Sequence, residues 1–296
     1  MVVDHTCAHL TAVRSSDRLE WRGVLVRRVW AGLALLVLAS LSACSSGPKR
    51  PPVGTLEPDK FLWERGTEEL NERHWLTARE YFRQLMDSYP QSQYRADAKL
   101  GIGDAFMGEK NSASYVLAIN EYREFLSFYP THTRADYAQY QLAMGYFKQM
   151  RSPMRDQTET RDAIREFQAF LTKFPNPESS KLYPDAKQRL REAKDRLADW
   201  DTGVADQYFR LKWYPGVTGR LIPLIKSDPE YTRRDNVYYL LGETFMRNNR
   251  PAEALPYFER LVNEFEQSER LELAKKRIAE IKAGPAAQPG KDPSKG

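Results

Sequence analysis

A short phrase recurs along the chain and constrains its fold more than any other feature of the sequence. Each copy begins with a small residue, carries an aromatic residue or leucine four positions later, and has apolar residues seven and eight positions later. These offsets fall on one face of a helix with 3.6 residues per turn. Each copy therefore predicts an amphipathic α-helix. The copies occupy residues 78–90, 118–130, 163–175 and 254–266, with a degenerate copy at residues 217–229.

A proline closes four of the five copies, at positions 90, 130, 175 and 229. Since proline lacks an amide hydrogen and restricts the residue before it, these prolines end the helices. Gly66 and Gly242 stand twelve residues before Ala78 and Ala254, where a preceding helix is predicted. A glycine at that place lets two helices approach closely. Each copy is thus predicted to be the second helix of a helical hairpin.

This spacing of glycine, alanine, aromatic residue and proline resembles the tetratricopeptide repeat. In such folds neighbouring hairpins bury each other's apolar faces, and the stack leaves a concave groove. We therefore predict an all-α fold, a tetratricopeptide-repeat superhelical solenoid of about five helical hairpins over residues 60–282. Uneven spacing of the prolines predicts longer connections at residues 108–114 and 151–158, and a further helix near residues 183–200. Residues 269–282 are predicted to cap the stack.

Residues 1–43 have the profile of a secretory signal peptide. Arg22, Arg27 and Arg28 precede an apolar run over residues 29–43. That run is shorter than the roughly 20 residues needed to cross a hydrocarbon core, so cleavage is favoured over a permanent membrane span. The sequence Leu-Ser-Ala-Cys at residues 41–44 resembles the bacterial lipobox, in which the cysteine thiol takes up the lipid. Cys44 is therefore the predicted lipidation site.

The segment after Cys44 is predicted to connect the lipid to the repeats. Residue 45 is serine rather than aspartate, which by resemblance to the sorting rule of Gram-negative lipoproteins indicates the outer membrane. Residues 44–59 are rich in Ser, Gly and Pro without an apolar period, and we predict a flexible tether. Residues 283–296 are predicted to be a disordered tail.

Charge and cysteine content argue against several classes of function. The formal net charge is +5, and five arginines against three acidic residues in the leader account for +2 of it, which leaves +3 for the rest. This near balance gives no reason to expect a nucleic-acid partner. Both cysteines, Cys7 and Cys44, precede the predicted helices, so neither can belong to a core disulfide or a structural zinc site.

The repeats contain no recognisable constellation of catalytic residues. Beyond the leader the histidines are His74 and His132, and Gly101 and Gly103 fall inside a predicted helix rather than in a phosphate-binding loop. We therefore predict a protein that is not an enzyme and needs no cofactor or metal. The recurring aromatic residues stand in helical register, which indicates core packing rather than a stacking platform: Phe82, Tyr122, Phe167 and Phe258.

Two stretches resemble the BamD family of outer-membrane assembly lipoproteins. They are residues 129–140, Tyr-Pro-Thr-His-Thr-Arg-Ala-Asp-Tyr-Ala-Gln-Tyr, and residues 187–198 with the following residues 204–209. The resemblance implies a lipid-anchored scaffold at the periplasmic face of the outer membrane, within the β-barrel assembly (BAM) machinery. It implies a BamA-like β-barrel protein held by the C-terminal repeats, other assembly-machine lipoproteins, and unfolded outer-membrane protein precursors at the N-terminal repeats.

The resemblance also implies that Arg220, in the second helix of the fourth repeat, faces a partner, although an ordinary exposed helix cation would have the same pattern. For the N-terminal groove we nominate His132, Asp136, Tyr137 and Tyr140, where an extended peptide would find aromatic surface and polar anchors. Tyr137 and Tyr140 can equally belong to the core.

An alternative from another class is a tetratricopeptide-repeat lipoprotein that serves as an adaptor for cell-wall enzymes or as a Tol-Pal-type envelope coordinator. A coiled-coil segment before the repeats would favour this alternative, and the sequence shows none.

Overall fold

The computed structural model describes residues 49–284, which fold into eleven α-helices with no β-strand among them. In chain order the helices are α1 (Pro58–Asn71), α2 (Trp75–Ser88), α3 (Arg95–Gly108), α4 (Ser112–Phe128), α5 (Ala135–Phe147), α6 (Thr158–Lys173), α7 (Tyr183–Arg210), α8 (Tyr214–Ser227), α9 (Arg234–Arg247), α10 (Pro251–Glu264) and α11 (Leu271–Ala283).

Successive helices pack against each other and form five hairpins. The pairs are α1 with α2, α3 with α4, α5 with α6, α7 with α8, and α9 with α10, and α11 packs on α10 as a cap. The second helix of each hairpin also packs on the first helix of the next one, so each hairpin covers the apolar face of its neighbour. The predicted all-α solenoid of about five tetratricopeptide-type hairpins is confirmed.

The recurring aromatic residue of the second helix lies in the core. Phe82, Tyr122, Phe167 and Phe258 are each at most 1% exposed. The Phe82 ring lies between two glycines of neighbouring helices. A Cβ atom added at Gly66 of α1 would lie 2.6 Å from the Phe82 Cε1 atom, and one added at Gly101 of α3 would lie 2.7 Å from its Cζ atom. At Gly66, where the sequence predicts a close approach of two helices, the contact is thus between the glycine backbone and the Phe82 ring.

In three repeats, a serine in the loop after the second helix is hydrogen-bonded to the start of the first helix of the same hairpin. Its hydroxyl donates to an aspartate at the start of the first helix and accepts a hydrogen bond from the backbone amide two residues further on. This link sets the position of the next hairpin relative to the previous one. The pairs are Ser92–Asp59 (2.7 Å), Ser180–Asp136 (2.6 Å) and Ser268–Asp235 (2.6 Å).

Two predicted details of the repeats are wrong. The connection at residues 108–114 is short, because α4 already begins at Ser112, where Asn111 caps it by accepting a hydrogen bond from the Ser114 amide at 3.0 Å. The helix predicted near residues 183–200 is not an additional element but the first part of α7, the first helix of the fourth hairpin. The long connection near residues 151–158 is confirmed, since residues 148–157 join α5 to α6.

Helix α7 remains helical over 28 residues because its buried face consists of alanines. The first part of α7 packs on α6 through Ala186, and the later part packs on α8 through Ala198 and Ala205. These small side chains let α7 contact two neighbouring helices closely along its length. The fourth hairpin, which carries Arg220, is thereby held against the third.

Candidate partner-binding surfaces

Arg220 lies on α8 and contacts two side chains of α7. Its Nη1 atom donates to Asp201 Oδ1 at 2.6 Å, and its guanidinium carbon lies 4.9 Å from the centre of a Trp200 ring. The Arg220 side chain is still 27% exposed. Since a guanidinium has five N–H donors, this arrangement leaves donors available to a partner while it restricts the orientation of the group.

The surface beside Arg220 is concave and partly apolar. A shallow cavity of about 580 Å³ is lined by Trp213, Gly219 and Pro223 together with Arg220. Leu211 and Trp213, in the turn between α7 and α8, are 75% and 53% exposed. A Cβ atom added at Gly219 would meet nothing within 4 Å. Trp213, Gly219, Arg220 and Pro223 are named the Arg220 surface below.

Tyr137 joins the second and third hairpins. Its hydroxyl on α5 donates to Asp104 Oδ1 on α3 at 2.7 Å, and the Tyr122 hydroxyl on α4 donates to the same oxygen at 2.6 Å. Burial raises the pKa of the Asp104 carboxyl, although the two hydroxyls and Arg134 act in the opposite direction. Burial and the Asp104 charge raise the pKa of Tyr137 in turn. Asp104 therefore connects three helices through two tyrosines.

Asp136 and His132 take part in the turns between repeats. Asp136 accepts a hydrogen bond from Ser180 at 2.6 Å. In the turn after α4, His132 takes the place that serine has in other turns, because its Nδ1 atom accepts from the Arg134 amide at 3.2 Å. The His132 ring packs edge-on against Phe125, with centroids 5.4 Å apart.

Tyr140 links the third hairpin to the fourth. Its hydroxyl donates to Asp185 on α7, and burial, followed by this hydrogen bond, raises the pKa of Tyr140. The Tyr140 ring packs edge-on against Phe167 and Phe170, each with centroids 6.1 Å apart.

The structure therefore brings the four nominated groove residues together on α5 and the turn before it. All four are partly exposed. Each one nevertheless has a polar atom that joins neighbouring repeats or caps a turn, so a peptide bound there would meet side chains of restricted orientation.

Cys44, the predicted lipidation site, lies outside the described residues. Within residues 49–284, no helix combines the length and apolar character needed to span a bilayer. Over the same range, one group of potential metal ligands lies close together, Glu69, Glu72 and His74 at the end of α1. The Nδ1 atom of His74 lies 2.9 Å from Glu69 and 3.4 Å from Glu72, which is the geometry of an exposed ion pair in a turn.

Comparison with known proteins identifies the family. The family model YfiO, described as an outer membrane lipoprotein, matches residues 56–236, which is more than half of the chain. The chain belongs to this outer membrane lipoprotein family. A model of the tetratricopeptide repeat matches residues 236–268, which contain α10 and nearly all of α9. The family match extends over the first four hairpins, including the Arg220 surface and the four nominated groove residues.

Two relatives bear the name outer membrane protein assembly factor BamD. The one from Caulobacter vibrioides is 27% identical over 215 residues, which cover 72% of this chain and 68% of the relative. The one from Vibrio cholerae is 28% identical over 206 residues, which cover 66% of this chain and 82% of the relative. Among solved structures, the crystal structure of MamA protein is 15% identical over 73% of this chain and 95% of that chain, with a TM-score of 0.35. The predicted membership of the BamD family is confirmed.

Arg220 was predicted from the sequence, whereas the exposed apolar residues of the turn before α8 were not. A signal was present, because Leu211 and Trp213 stand in a turn between two helices, where polar residues and glycine are usual. Lys212 between them has a φ of 59°, a left-handed conformation that glycine or asparagine adopts more easily. This conformation became visible only in the structure.

Proposed function

We propose that the protein is a non-catalytic, lipid-anchored scaffold of the β-barrel assembly machinery at the periplasmic face of the outer membrane. In this proposal it binds the BamA-type barrel protein, other assembly lipoproteins, and unfolded outer-membrane protein precursors on their way to insertion. The observation that carries the proposal is the family match over residues 56–236, together with similarity to assembly factors named BamD.

The Arg220 surface is the proposed contact for the barrel protein. It combines a restrained arginine with an exposed Trp213 that lines the same concavity. Arginine and tryptophan are the residue types that most often dominate protein–protein binding energy, particularly where one of them enters a pocket. This combination supports a protein partner better than a small-molecule ligand.

The face of α5 is the proposed contact for unfolded precursors. His132, Asp136, Tyr137 and Tyr140 offer partly exposed rings and carboxylate oxygens whose orientation is already restricted by contacts between repeats. An extended chain can lie across such a face, with side chains on the rings and backbone amides on the carboxylate oxygens. Restricted side chains lower the entropy that is lost on binding.

Cys44 is the proposed lipidation site. The sequence predicts a tether over residues 44–59, and since α1 already begins at Pro58, the tether that we propose ends at residue 57. A fully extended segment of this length spans at most about 50 Å. The repeats could therefore reach partners well away from the lipid surface. Each CH₂ group of the acyl chains on Cys44 that is buried in the bilayer would contribute about 0.8 kcal/mol to membrane binding.

Co-purification from detergent-solubilised outer membranes tests the proposed function, with the full-length lipoprotein as bait. We expect a BamA-like β-barrel protein in the eluate. Recovery of cell-wall hydrolases or Tol-Pal components without a barrel protein would refute the proposal and favour the alternative adaptor role.

Variants of Arg220 test the proposed surface in the same assay. Arg220→Glu should strongly reduce recovery of the barrel protein with an unchanged far-UV circular dichroism spectrum, since loss of one partner of a buried interfacial charge pair costs about 2–5 kcal/mol. Lys226→Glu, at an exposed cation on the same helix, makes the same charge change and should leave recovery intact.

A charge swap separates the contact with a partner from the internal ion pair. Asp201→Arg combined with Arg220→Asp restores an ion pair between α7 and α8 but presents reversed charges to a partner. We expect recovery to stay low in this double variant. Full recovery would show that Arg220 only supports the position of α8, and would remove it from the surface.

A further inference from the structure

A second concavity lies at the C-terminal end of the repeats, and its lining shares no residue with that of the cavity beside Arg220. It is formed by α7, α9 and the residue before α11, and has a volume of about 480 Å³. Phe209, Tyr239 and Leu240 contribute apolar surface to its lining, and Arg247 and Arg270 contribute charge. Pockets of this size accommodate a small ligand or a few side chains of a peptide. The concavity is named the C-terminal cleft below.

The acidic side chains that line the C-terminal cleft are neutralised within the protein. Asp206 pairs with Arg210 at 2.6 Å. Glu243, whose side chain is only 7% exposed, accepts two hydrogen bonds from Arg277, at 2.5 and 2.9 Å. Each carboxylate is therefore already paired with an arginine other than Arg247 and Arg270.

Arg247 and Arg270 have no carboxylate partner within residues 49–284. The guanidinium of Arg247 lies 4.6 Å from the centre of the Phe209 ring, and that of Arg270 lies 5.1 Å from the centre of the Tyr239 ring. An arginine that contacts an aromatic face keeps its N–H groups available and loses little rotamer freedom when it binds an anion. The cleft therefore presents two oriented and unneutralised guanidinium groups.

Two neutral donors add to this arrangement. The Asn236 side-chain amide and the Tyr239 hydroxyl both belong to residues of the lining. Neither group makes a hydrogen bond to any other part of residues 49–284. A carboxylate has two oxygens that accept several hydrogen bonds, and it pairs with a guanidinium in a bidentate geometry. The donors of the cleft therefore match carboxylate groups, and its aromatic lining matches an apolar side chain beside them.

We propose that the C-terminal cleft binds an acidic segment of a partner protein, with its carboxylates on Arg247 and Arg270 and a neighbouring apolar side chain against the lining. The chain's own flanking segments are unsuited to this role, because residues 45–57 carry two basic residues and one acidic residue, and residues 285–296 also carry two basic and one acidic. The cleft shares no lining residue with the Arg220 surface or with the four nominated residues of α5 and its preceding turn, so it represents an additional partner contact that does not depend on the proposed function.

Fluorescence anisotropy with a defined peptide tests this proposal. The probe is a fluorescein-labelled, C-terminally amidated Gly-Glu-Phe-Glu-Gly peptide, and its control is the same peptide with glutamine in place of both glutamates. The protein is the full chain, purified in neutral detergent. We expect the acidic peptide to bind at least tenfold more tightly than the glutamine peptide.

Variants of the two arginines locate the binding. Arg247→Gln and Arg270→Gln should each weaken binding of the acidic peptide at least tenfold. Arg83→Gln is the matched control, because Arg83 is also exposed, lies 6.0 Å from the centre of the Phe106 ring, and has no carboxylate partner among the described residues. It should leave binding unchanged. Circular dichroism verifies that each variant keeps its helical content.

Three results would overturn the proposal. One is equal binding of the acidic and glutamine peptides, and another is equal binding to the wild type and to the double variant Arg247→Gln/Arg270→Gln. The third is displacement of the peptide by inorganic phosphate or by vesicles of anionic phospholipid at concentrations comparable to its own, which would indicate a general anion site. None of these three results would change the outcome that we expect from the co-purification test of the proposed function.

Discussion

Replacing Gly66 by alanine should destabilise the repeats, although alanine is the better helix former. In the interior of an exposed helix, a change from glycine to alanine stabilises by about 0.5–1 kcal/mol. At Gly66, however, the added Cβ atom would lie 2.6 Å from the Phe82 Cε1 atom. The opposite side of the ring is closed by Gly101, so the ring cannot move away without a second clash.

The expected magnitude follows from these two opposing effects. Overfilling a packed core costs about 1–3 kcal/mol, which exceeds the gain in helix propensity. We therefore expect Gly66→Ala to lower the free energy of unfolding by about 1–2 kcal/mol. Gly219→Ala is the matched control, since Gly219 also lies inside a helix but nothing stands within 4 Å of its added Cβ. That variant should be more stable than the wild type by about 0.5–1 kcal/mol.

Urea unfolding followed by circular dichroism measures both changes, and a double-mutant cycle tests their cause. Phe82→Leu removes ring atoms from the space between Gly66 and Gly101. Gly66→Ala should then cost at least about 1 kcal/mol less in the Phe82→Leu background than in the wild type. Stabilisation by Gly66→Ala, or equal costs in both backgrounds, would show that the ring does not determine the need for glycine.

Three further predictions concern other parts of the chain. Because burial raises the folded-state pKa of Asp104, the stability that this group contributes is complete below about pH 3.8 and is lost as the pH rises through the folded-state value. Asp104→Asn removes this titration and should gain stability relative to the wild type between pH 4 and pH 7 in urea unfolding; parallel pH profiles would contradict this. Arg277→Gln leaves Glu243 buried without its partner and should lower the free energy of unfolding by about 1–3 kcal/mol. Lys276→Gln, at an exposed neighbouring residue, should change it by no more than about 0.5 kcal/mol. Equal effects of the two substitutions would rule out a role for the Arg277–Glu243 pair in stability. Metabolic labelling with palmitate should label the wild type but not Cys44→Ser, because the thiol is the group that takes up the lipid, and labelling of the variant would exclude Cys44 as the lipidated residue.

The fold was accessible from the sequence because hairpin repeats obey a local rule several times over. A small residue, an aromatic residue four positions later and a closing proline are all encoded within one helix and its turn. Five repetitions of that pattern, three of them complete, one without the aromatic residue and one without the proline, made the five hairpins predictable. The pattern does not extend to α7, whose buried positions are alanines. The sequence therefore predicts a helix near residues 183–200 but does not assign it as the first helix of the fourth hairpin.

The candidate surfaces were predictable only in part. Arg220 is predicted through the resemblance to a family, whereas the exposed Trp213 beside it is not, because exposure depends on what the next hairpin leaves uncovered. Likewise, the sequence could not show that Tyr137 and Tyr140 each bond to an aspartate of a neighbouring repeat, since those partners lie 33 and 45 positions away.

The sequence by itself determined that the chain forms helical hairpins, where most of them end, and which aromatic residues are buried, because these properties depend on residues within a few turns of one another. Only the tertiary structure decided which arginines are neutralised and which are not. Arg277 pairs with Glu243 between α11 and α9, while among residues 49–284 Arg247 and Arg270 contact aromatic rings and no carboxylate, because pairing depends on distances between helices that no local pattern encodes.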